Sequence, residues 1–313
     1  WKKIFTPKIF GNFWVTFSHF FSDFSFDDFQ FLEQNRINDL TVKGNIEYFY
    51  SDRINFKFGF ENKNVNGGLK QNFAGGRVDV WKYRNLYSLY FSAKWMPSNQ
   101  WDIEAGVRGD YFVSDIDYKN IDPRLTVKYR LSEVSNLKFS TGIFHQYANR
   151  IPRLFFVSIW TTADQFTRGS SSDHFILGYQ RVLAENFEFE IEAYYKDYRN
   201  IYTYNPTFLA DLLPENYDEN NLPVFRNSKG LFNRGDGKSY GVEFLLRKDN
   251  GAITGWAGYS FARTEFTVDR INKANAFSPR HDRTHAINFV VNMDLNNFLR
   301  EIRGEQFVRP DKQ

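Results

Sequence analysis

The sequence predicts an all-β protein, and within that class an antiparallel transmembrane β-barrel. Three observations favour this fold. Apolar and polar residues alternate with a period of two along most of the chain, which is the pattern of a strand with two different faces. Tight turns alternate strictly with long polar connections. Aromatic residues recur near the strand ends, where the interfacial girdles of a membrane barrel lie; they are Tyr87, Trp95, Trp101, Tyr129 and Tyr259.

About twelve segments carry the alternation, with Phe, Tyr, Leu, Val or Ile on one face and charged or small residues on the other. In chain order they are residues 13–17, 40–48, 56–60, 87–95, 101–107, 125–131, 137–143, 175–179, 187–195, 240–246, 253–261 and 285–293. The residues expected to face lipid are Phe56, Phe58, Phe60, Leu89, Phe91, Ile103, Val127, Phe189 and Phe244. Alternation alone also fits a soluble sandwich, whose apolar face packs against a second sheet. The lengths of the connections between strands are therefore needed to distinguish the two folds.

The connections fall into two classes. The predicted tight turns are residues 51–53, 96–100, 132–136, 184–186 and 249–251. The predicted long connections are residues 18–39, 62–85, 112–122, 146–172, 196–238 and 263–284. A soluble sandwich has no reason to keep every short turn at one end, whereas an outer-membrane barrel has short periplasmic turns and long extracellular loops.

Composition excludes several classes of site. The 313 residues include 60 Phe, Tyr and Trp, which favours strands, and no cysteine, which excludes disulfide scaffolds, thiolate metal sites and cysteine nucleophiles. The formal net charge of +3 is too small to indicate nucleic-acid binding, and no apolar run is long enough for a membrane-spanning helix. The sequence begins at Trp1, without a methionine or a signal peptide, which is typical of an incomplete piece.

Three motifs that could suggest chemistry do not support it. Gly237-Lys238-Ser239 would need a glycine where Phe232 stands to form a phosphate-binding loop, and the segment enters a strand. His281 and His285, four apart on an extended chain, lie about 13 Å apart, too far for two ligands of one metal. The sequence contains no motif that would pair a nucleophile with a general base. We therefore expect neither an enzyme nor a bound cofactor.

The charged face of the strands is expected to form the wall of a water-filled or plugged lumen. Its predicted members are Glu104, Arg108, Arg124, Lys128, Arg130, Glu188, Glu190, Glu192 and Glu243. In this interpretation the row of glutamates on one strand is balanced by the basic residues Arg124, Lys128 and Arg130 on another.

The two longest connections carry the candidate ligand-binding residues, because arginine and aromatic side chains on loops are typical anchors of recognition. They are Arg150, Arg153, Phe155, Phe156 and Trp160 in residues 146–172, with Tyr202, Tyr204 and Arg226 in residues 196–238. The alternative is that these side chains only pack the loops on one another over the barrel mouth.

Several stretches together resemble the barrel of TonB-dependent outer-membrane receptors of the Bacteroidetes type. They are residues 37–43 (INDLTVK), 55–59 (NFKFG), 121–125 (IDPRL), 171–179 (SSDHFILGY), 191–196 (IEAYYK), 237–244 (GKSYGVEF), 255–261 (GWAGYSF) and 282–285 (DRTH). Each stretch is weak by itself, and their order and spacing carry the resemblance.

The resemblance implies that residues 1–313 are an interior part of one barrel domain, with about 12 strands of a larger, 22-stranded barrel. A plug domain and a TonB box are not recognised, and residues 295–313 are expected to be an irregular tail. It further implies energy-coupled uptake of a scarce nutrient, such as a ferric siderophore, cobalamin or an oligosaccharide. The implied partners are outer-membrane lipid, the TonB complex, the nutrient ligand and a surface lipoprotein. The alternatives are a freestanding porin-like barrel, a membrane-embedded hydrolase and a soluble carbohydrate-binding β-protein.

Overall fold

Seventeen strands and one α-helix make up the regular structure of the computed structural model, which describes residues 1–26, 31–73, 75–153, 157–184, 186–208 and 216–304. The strands of the first half are β1 (Lys2–Thr6), β2 (Ile9–Phe26), β3 (Phe31–Ser51), β4 (Ile54–Phe73), β5 (Gly76–Ser98), β6 (Trp101–Val113), β7 (Tyr118–Ser132) and β8 (Ser135–Gln146). Those of the second half are β9 (Ala148–Ile151), β10 (Ile159–Thr162), β11 (Ser170–Ala184), β12 (Phe187–Tyr204), β13 (Asn216–Tyr217), β14 (Pro223–Phe225), β15 (Phe232–Lys248), β16 (Ile253–Val268) and β17 (His285–Met293). The helix α1 is Leu295–Ile302.

The main sheet is an antiparallel meander in which nearly every strand pairs with the next one along the chain. Its order is β1-β2-β3-β4-β5-β6-β7-β8-β11-β12-β15-β16-β17. Within the described residues, β1 pairs only with β2 and β17 only with β16, so the sheet does not close on itself. The architecture is that of a partial barrel, which confirms the predicted fold class.

The two loop insertions of the sheet contain short strands of their own. The β9–β10 hairpin lies between β8 and β11 and forms a separate two-stranded sheet. The β13–β14 pair lies between β12 and β15, and β14 pairs in parallel with the beginning of β5, where Val224 is opposite Arg77. Because β5 is far from β12 in the strand order, this second loop crosses the concave side of the sheet.

Cross-strand register separates the side chains of the sheet into two faces. Ile103, Val127, Phe139 and Leu177 are opposite one another on four strands, and the row continues through Ala193, Val242 and Phe261. Side chains that are directly opposite point to the same face. This outer face remains uncovered in the structure, and Leu89 is 59% exposed although it is a large apolar residue. An apolar band of this extent fits contact with lipid.

Three of the predicted long connections were wrong, because the strands extend through most of them. Residues 18–39 belong largely to β2 and β3, and residues 62–85 to β4 and β5. Residues 112–122 shorten to a turn between Val113 and Tyr118. Polar and Asn-rich segments can pair as strands without apolar alternation, because the backbone supplies the hydrogen bonds. The outer side chains of these segments can be polar because they do not contact the apolar interior of the membrane. Strand β1 was also missed.

The segment after β17 is helical up to Ile302, whereas an irregular tail was predicted. The carboxylate of Asp294 accepts a hydrogen bond from the backbone N–H of Asn297 at 3.1 Å, which is the arrangement of a helix N-cap. Leu295, Leu299 and Ile302 recur at helical spacing, and this period of 3.6 rather than 2 was the signal in the sequence. No helix in the described part of the chain is long and apolar enough to cross a membrane.

A pair of neighbouring substitutions on β11 tests the assignment of the two faces. Leu177 lies on the outer face, whereas Ile176 lies on the inner face beside Lys138 and Glu192. We expect Leu177→Arg to lower the free energy of unfolding in lipid vesicles by about 2–4 kcal/mol, the cost of a cation near the bilayer midplane. Ile176→Arg should cost less than half as much, because its environment is polar. A urea titration of both variants measures the difference, and equal costs would contradict the barrel.

Candidate functional site

The inner face of the sheet carries a wall of charged side chains. Register places all nine predicted wall residues on this face, opposite to the apolar band. Lys138 on β8 pairs with Glu190 on β12 at 2.7 Å, and Arg108 on β6 pairs with Asp110 at 2.8 Å. The wall therefore contains local ion pairs, within β6 for Arg108 and across the intervening strand β11 for Lys138.

The predicted partners of the glutamate row were wrong. Glu188 pairs with Arg247 on β15 and accepts a hydrogen bond from Gln180 on β11. The basic residues of β7 lie three strands from β12 in the sheet order, which at about 4.8 Å per strand is about 14 Å away. Arg124 instead stacks on the ring of Phe144, with its guanidinium carbon 4.5 Å from the ring centroid.

The loop that contains β9 and β10 folds inward onto β3 and β4. The side chain of Asn35 on β3 donates to the backbone carbonyl of Trp160 at 3.0 Å and accepts from the backbone N–H of Trp160 at 2.8 Å. The ring of Trp160 packs at 6.4 Å from that of Phe20. Trp160 was predicted to bind ligand, and its backbone contacts show that it fixes the loop to the barrel wall.

Arg153 joins the same loop to the barrel wall through a buried ion pair. Its guanidinium forms a two-pronged contact with the carboxylate of Glu33, one prong of which is 2.6 Å, and both side chains are almost completely buried. Gln71 donates a further hydrogen bond to Glu33 at 2.5 Å. The guanidinium also lies 5.5 Å from the ring of Tyr204. Two of the candidate ligand-binding residues, Arg153 and Tyr204, therefore contact each other and the wall.

A second buried pair holds the end of this loop. Lys82 on β5 pairs with Asp164 at 2.6 Å, and the same ammonium donates to Thr161 and to the carbonyl of Thr162 at 3.1 and 3.0 Å. The carboxylate of Asp164 also accepts hydrogen bonds from the hydroxyl of Ser228 and from the backbone N–H of Thr167. All three protons of Lys82 and both oxygens of Asp164 thus have partners, which a buried ion pair requires.

Burial and pairing act on the two charges in different ways. Burial lowers the pKa of Lys82 against the attraction of Asp164, because a low-dielectric site disfavours the ammonium. Burial by itself would raise the pKa of Asp164, but Lys82 and the hydrogen bonds from Ser228 and Thr167 hold this pKa below its usual value. Asp164 therefore remains a carboxylate at neutral pH.

A groove of about 880 Å³ remains open at the loop end of the concave face. It lies between the ends of β8, β11 and β12, the β9 segment and the loop before β17. Its basic and aromatic lining includes Arg150, Arg153, Arg280, His281, Tyr198, Tyr202 and Phe277. Arg150 is exposed and forms no ion pair with a described residue, whereas burial raises the pKa of Tyr202 to about 12, so that this phenol stays neutral.

The structure therefore divides the candidate ligand-binding residues into groups. Arg150, Arg153 and Tyr202 line the groove, and Arg153 is at the same time held by its ion pair with Glu33. Trp160 and Tyr204 pack the loops and do not line the groove. Arg226 is exposed directly after β14 and outside the groove lining. Phe155 and Phe156 lie outside the described residues. From the sequence alone, Arg280, Lys82 and Asp164 had no predicted role, and His281 was considered only as a metal ligand and rejected.

The described residues contain no cluster that could hold a metal ion, since no three His, Asp or Glu side chains converge among them. His281 lies in the groove-lining loop, whereas His285 begins β17 and stacks on Tyr259 with ring centroids 6.2 Å apart.

Solved iron and siderophore receptors share this fold. The chain is similar to the ferric yersiniabactin uptake receptor FyuA from Yersinia pestis, with a TM-score of 0.63 and 13% identity over 92% of this chain and 45% of that one. For the FrpB iron transporter from Neisseria meningitidis the TM-score is 0.60 with 14% identity, over 92% and 47% of the two chains. For the siderophore receptor PirA from Acinetobacter baumannii it is 0.57 with 13% identity, over 92% and 45%.

These likenesses confirm the predicted resemblance to TonB-dependent receptors as a resemblance of fold. The chain spans a little under half of the length of the receptors that it matches. No protein-family profile and no curated protein sequence matches it.

Proposed function

We propose that this chain is part of an outer-membrane receptor that takes up a scarce nutrient by TonB-dependent, energy-coupled transport. The observation that carries the proposal is the groove of about 880 Å³, which opens on the concave, polar face of a partial barrel whose convex face is apolar. A ligand captured by the loops would enter the lumen directly from such a groove. The solved receptors of the same fold support this assignment, since their names describe iron and siderophore uptake.

The chemistry of the groove favours an anionic ligand with aromatic or apolar parts. Arg150 and Arg280 supply charge-assisted hydrogen bonds to carboxylate or phosphate groups, and His281 can supply a further hydrogen bond. Tyr198 and Phe277 supply apolar ring surface. A ferric siderophore satisfies both requirements better than a small neutral sugar does. Cobalamin, peptides and oligosaccharides are the other classes to test, and one neighbour of the same fold is the RagAB peptide importer.

The partners in this proposal are those of an energy-coupled receptor. The TonB complex would act through a plug domain, and the nutrient ligand and a surface lipoprotein would meet the loop end of the barrel. The unpaired edges of β1 and β17 would have to be completed by further strands, because backbone groups in lipid require internal hydrogen bonds. That requirement favours the receptor over a freestanding porin-like barrel of these strands alone.

The uncovered apolar band also weighs against a soluble carbohydrate-binding protein. In a sandwich a second sheet would cover the row that contains Val127, Phe139 and Leu177, and within the described residues no element packs on that side. Fractionation of the membrane tests this point, because a soluble protein would appear in detergent-free buffer.

Replacement of Arg150 tests the proposed binding groove. We expect Arg150→Ala to weaken the binding of an anionic ferric siderophore by about 10- to 100-fold, which corresponds to the loss of a hydrogen bond to a charged group. The folded yield should not change, because Arg150 is exposed. Equilibrium binding in detergent, with ferric citrate and with catecholate and hydroxamate siderophores as probes, measures the effect.

Arg226→Ala is the matched control, since Arg226 is an exposed arginine of the loop end that does not line the groove. It should bind all probes like the unmodified protein. Equal binding by Arg150→Ala and the control would contradict the assignment of the groove. Uptake that persists after the proton-motive force is dissipated would favour a passive pore.

A further inference from the structure

The outer face of β3, β4 and β5 carries a patch of asparagine side chains immediately beyond the apolar band. This amide patch consists of Asn38, Asn62, Asn64, Asn66 and Asn85, which register places next to one another on the outer face. Asn64 donates to Asn85 at 2.7 Å, and Asn66 donates to Asn64 at 2.7 Å. An amide has two donors and two acceptor lone pairs, so these internal bonds leave further hydrogen-bonding capacity in the patch.

Exposed aromatic rings adjoin the amide patch. Tyr83 is opposite Asn66 and is 67% exposed, and Trp81 follows on the same face at 47%. The ring of Trp81 lies across Gly68, since a Cβ atom at Gly68 would be only 2.4 Å from it. The ring therefore contacts the backbone of β4 and remains half-exposed. On β2, Phe21 is exposed beneath the guanidinium of Arg36, which lies 5.0 Å from the ring centroid.

The patch is continuous with the lipid-facing band on the same strands. On β4 the outer positions change from Phe56, Phe58 and Phe60 directly to the asparagines, and on β5 they change from Leu89 to Tyr87 and Asn85. A lipid whose chains lie against the band would therefore place its headgroup against the amides and the rings. This position rests on the membrane location that forms part of the proposed function.

We propose that the amide patch with Trp81 and Tyr83 binds the saccharide headgroup of a glycolipid of the surrounding outer leaflet. Amide side chains can donate to and accept from neighbouring sugar hydroxyls, and a flat, exposed aromatic ring packs against the apolar face of a pyranose. Arg36 and Lys70 lie on the same outer face and can pair with phosphate groups on the sugar, although Asp79 directly opposite Lys70 limits the local positive charge. Saccharide recognition is thus the main contribution and phosphate binding the smaller one.

The double variant Trp81→Ala/Tyr83→Ala tests this site. The protein is extracted from its outer membrane in mild detergent, and the lipopolysaccharide that remains bound is quantified by mass spectrometry of the released sugars. We expect the variant to retain about tenfold less lipopolysaccharide, which corresponds to about 1.4 kcal/mol. Trp101→Ala/Tyr129→Ala is the matched control, because these outer-face rings at the tight-turn end also form a Trp–Tyr pair, with an exposed Trp101 and a half-buried Tyr129 whose ring centroids are 4.5 Å apart. The control should retain the normal amount.

Each outcome bears on the proposal. Equal retention by the two double variants, with both folded by heat-modifiability on gels, would overturn it. If the Trp81/Tyr83 variant keeps its lipopolysaccharide and loses a co-purifying protein instead, the face is a protein-docking surface and the glycolipid site is wrong. Fractionation separately measures whether the unmodified protein is in the outer membrane. If it is absent from that membrane, the proposed function is wrong, whatever the variants retain. Siderophore binding should be normal in the variant, because the patch and the groove lie on opposite faces.

Discussion

Replacing Asp164 by asparagine should lower the free energy of unfolding by about 3–5 kcal/mol, the cost of leaving one member of a buried ion pair without its partner. Lys82 and Asp164 have side chains that are 7% and 3% exposed, so water cannot replace the lost charge. Urea titration in lipid vesicles, followed by tryptophan fluorescence, measures the change. Asp173→Asn is the matched control, because Asp173 pairs with Arg199 at the exposed end of the sheet. Its cost should not exceed about 1 kcal/mol.

A double variant separates the energy of the Lys82–Asp164 interaction from the cost of burying Lys82 without a partner. Lys82→Met removes the ammonium that Asp164→Asn leaves buried, so the combined variant should be more stable than Asp164→Asn alone. If the two single costs simply add, the two side chains do not act as a pair and the proposed attachment of the loop is wrong.

The same pair predicts a dependence of stability on acid. The pKa of Asp164 lies below its usual value of 3.8 in the folded protein, so the folded state holds this carboxylate charged where the unfolded chain would protonate it. The stability that Asp164 provides is therefore fully present above about pH 4 and is lost as the pH falls through the lowered folded-state pKa. The stability difference between the unmodified protein and Asp164→Asn should shrink over that acidic range and stay constant from pH 5 to pH 7.

Replacing Arg153 by alanine should have an effect of similar size, about 3–5 kcal/mol. The substitution leaves the carboxylate of Glu33 buried at 3% exposure, with Gln71 as its remaining donor. Arg153→Lys should restore only part of the loss, because an ammonium cannot reproduce the two-pronged contact of a guanidinium. Arg150→Ala, three residues earlier in the same loop, is the control and should change stability by less than about 0.5 kcal/mol.

The expected contrast between Arg153 and Arg150 separates loop packing from ligand binding. A variant of Arg153 should lose stability, and any loss of ligand binding should follow from the displaced loop. If Arg153→Ala instead weakened siderophore binding with normal stability, Arg153, which also lines the groove, would contact the ligand directly, and its ion pair with Glu33 would not stabilise the loop.

Two properties of the sequence made the fold predictable. Alternation with a period of two identified the strands, and it placed side chains such as Val127 and Lys128 on opposite faces, as the observed register does. The tight turns were correct because Ser, Asn and Asp side chains form hydrogen bonds with the nearby backbone, and Gly adopts the positive φ that some turns require. The long connections were less predictable, since polar segments such as residues 62–73 have the same composition whether they pair as strands or form loops.

The sequence by itself therefore determined the central segments of most sheet strands, their faces and the membrane-barrel class, because these depend on residues a few positions apart. Only the tertiary structure decided which loop residues are available to a ligand. Asn35 and Trp160 are 125 residues apart, and Arg153 meets Glu33 across 120 residues. No local pattern encodes such contacts, since curvature of the sheet brings β3 and β5 under the inserted loops. That curvature buries Arg153 as a structural ion pair and leaves Arg150 exposed in the groove, although the sequence presents the two arginines as equals.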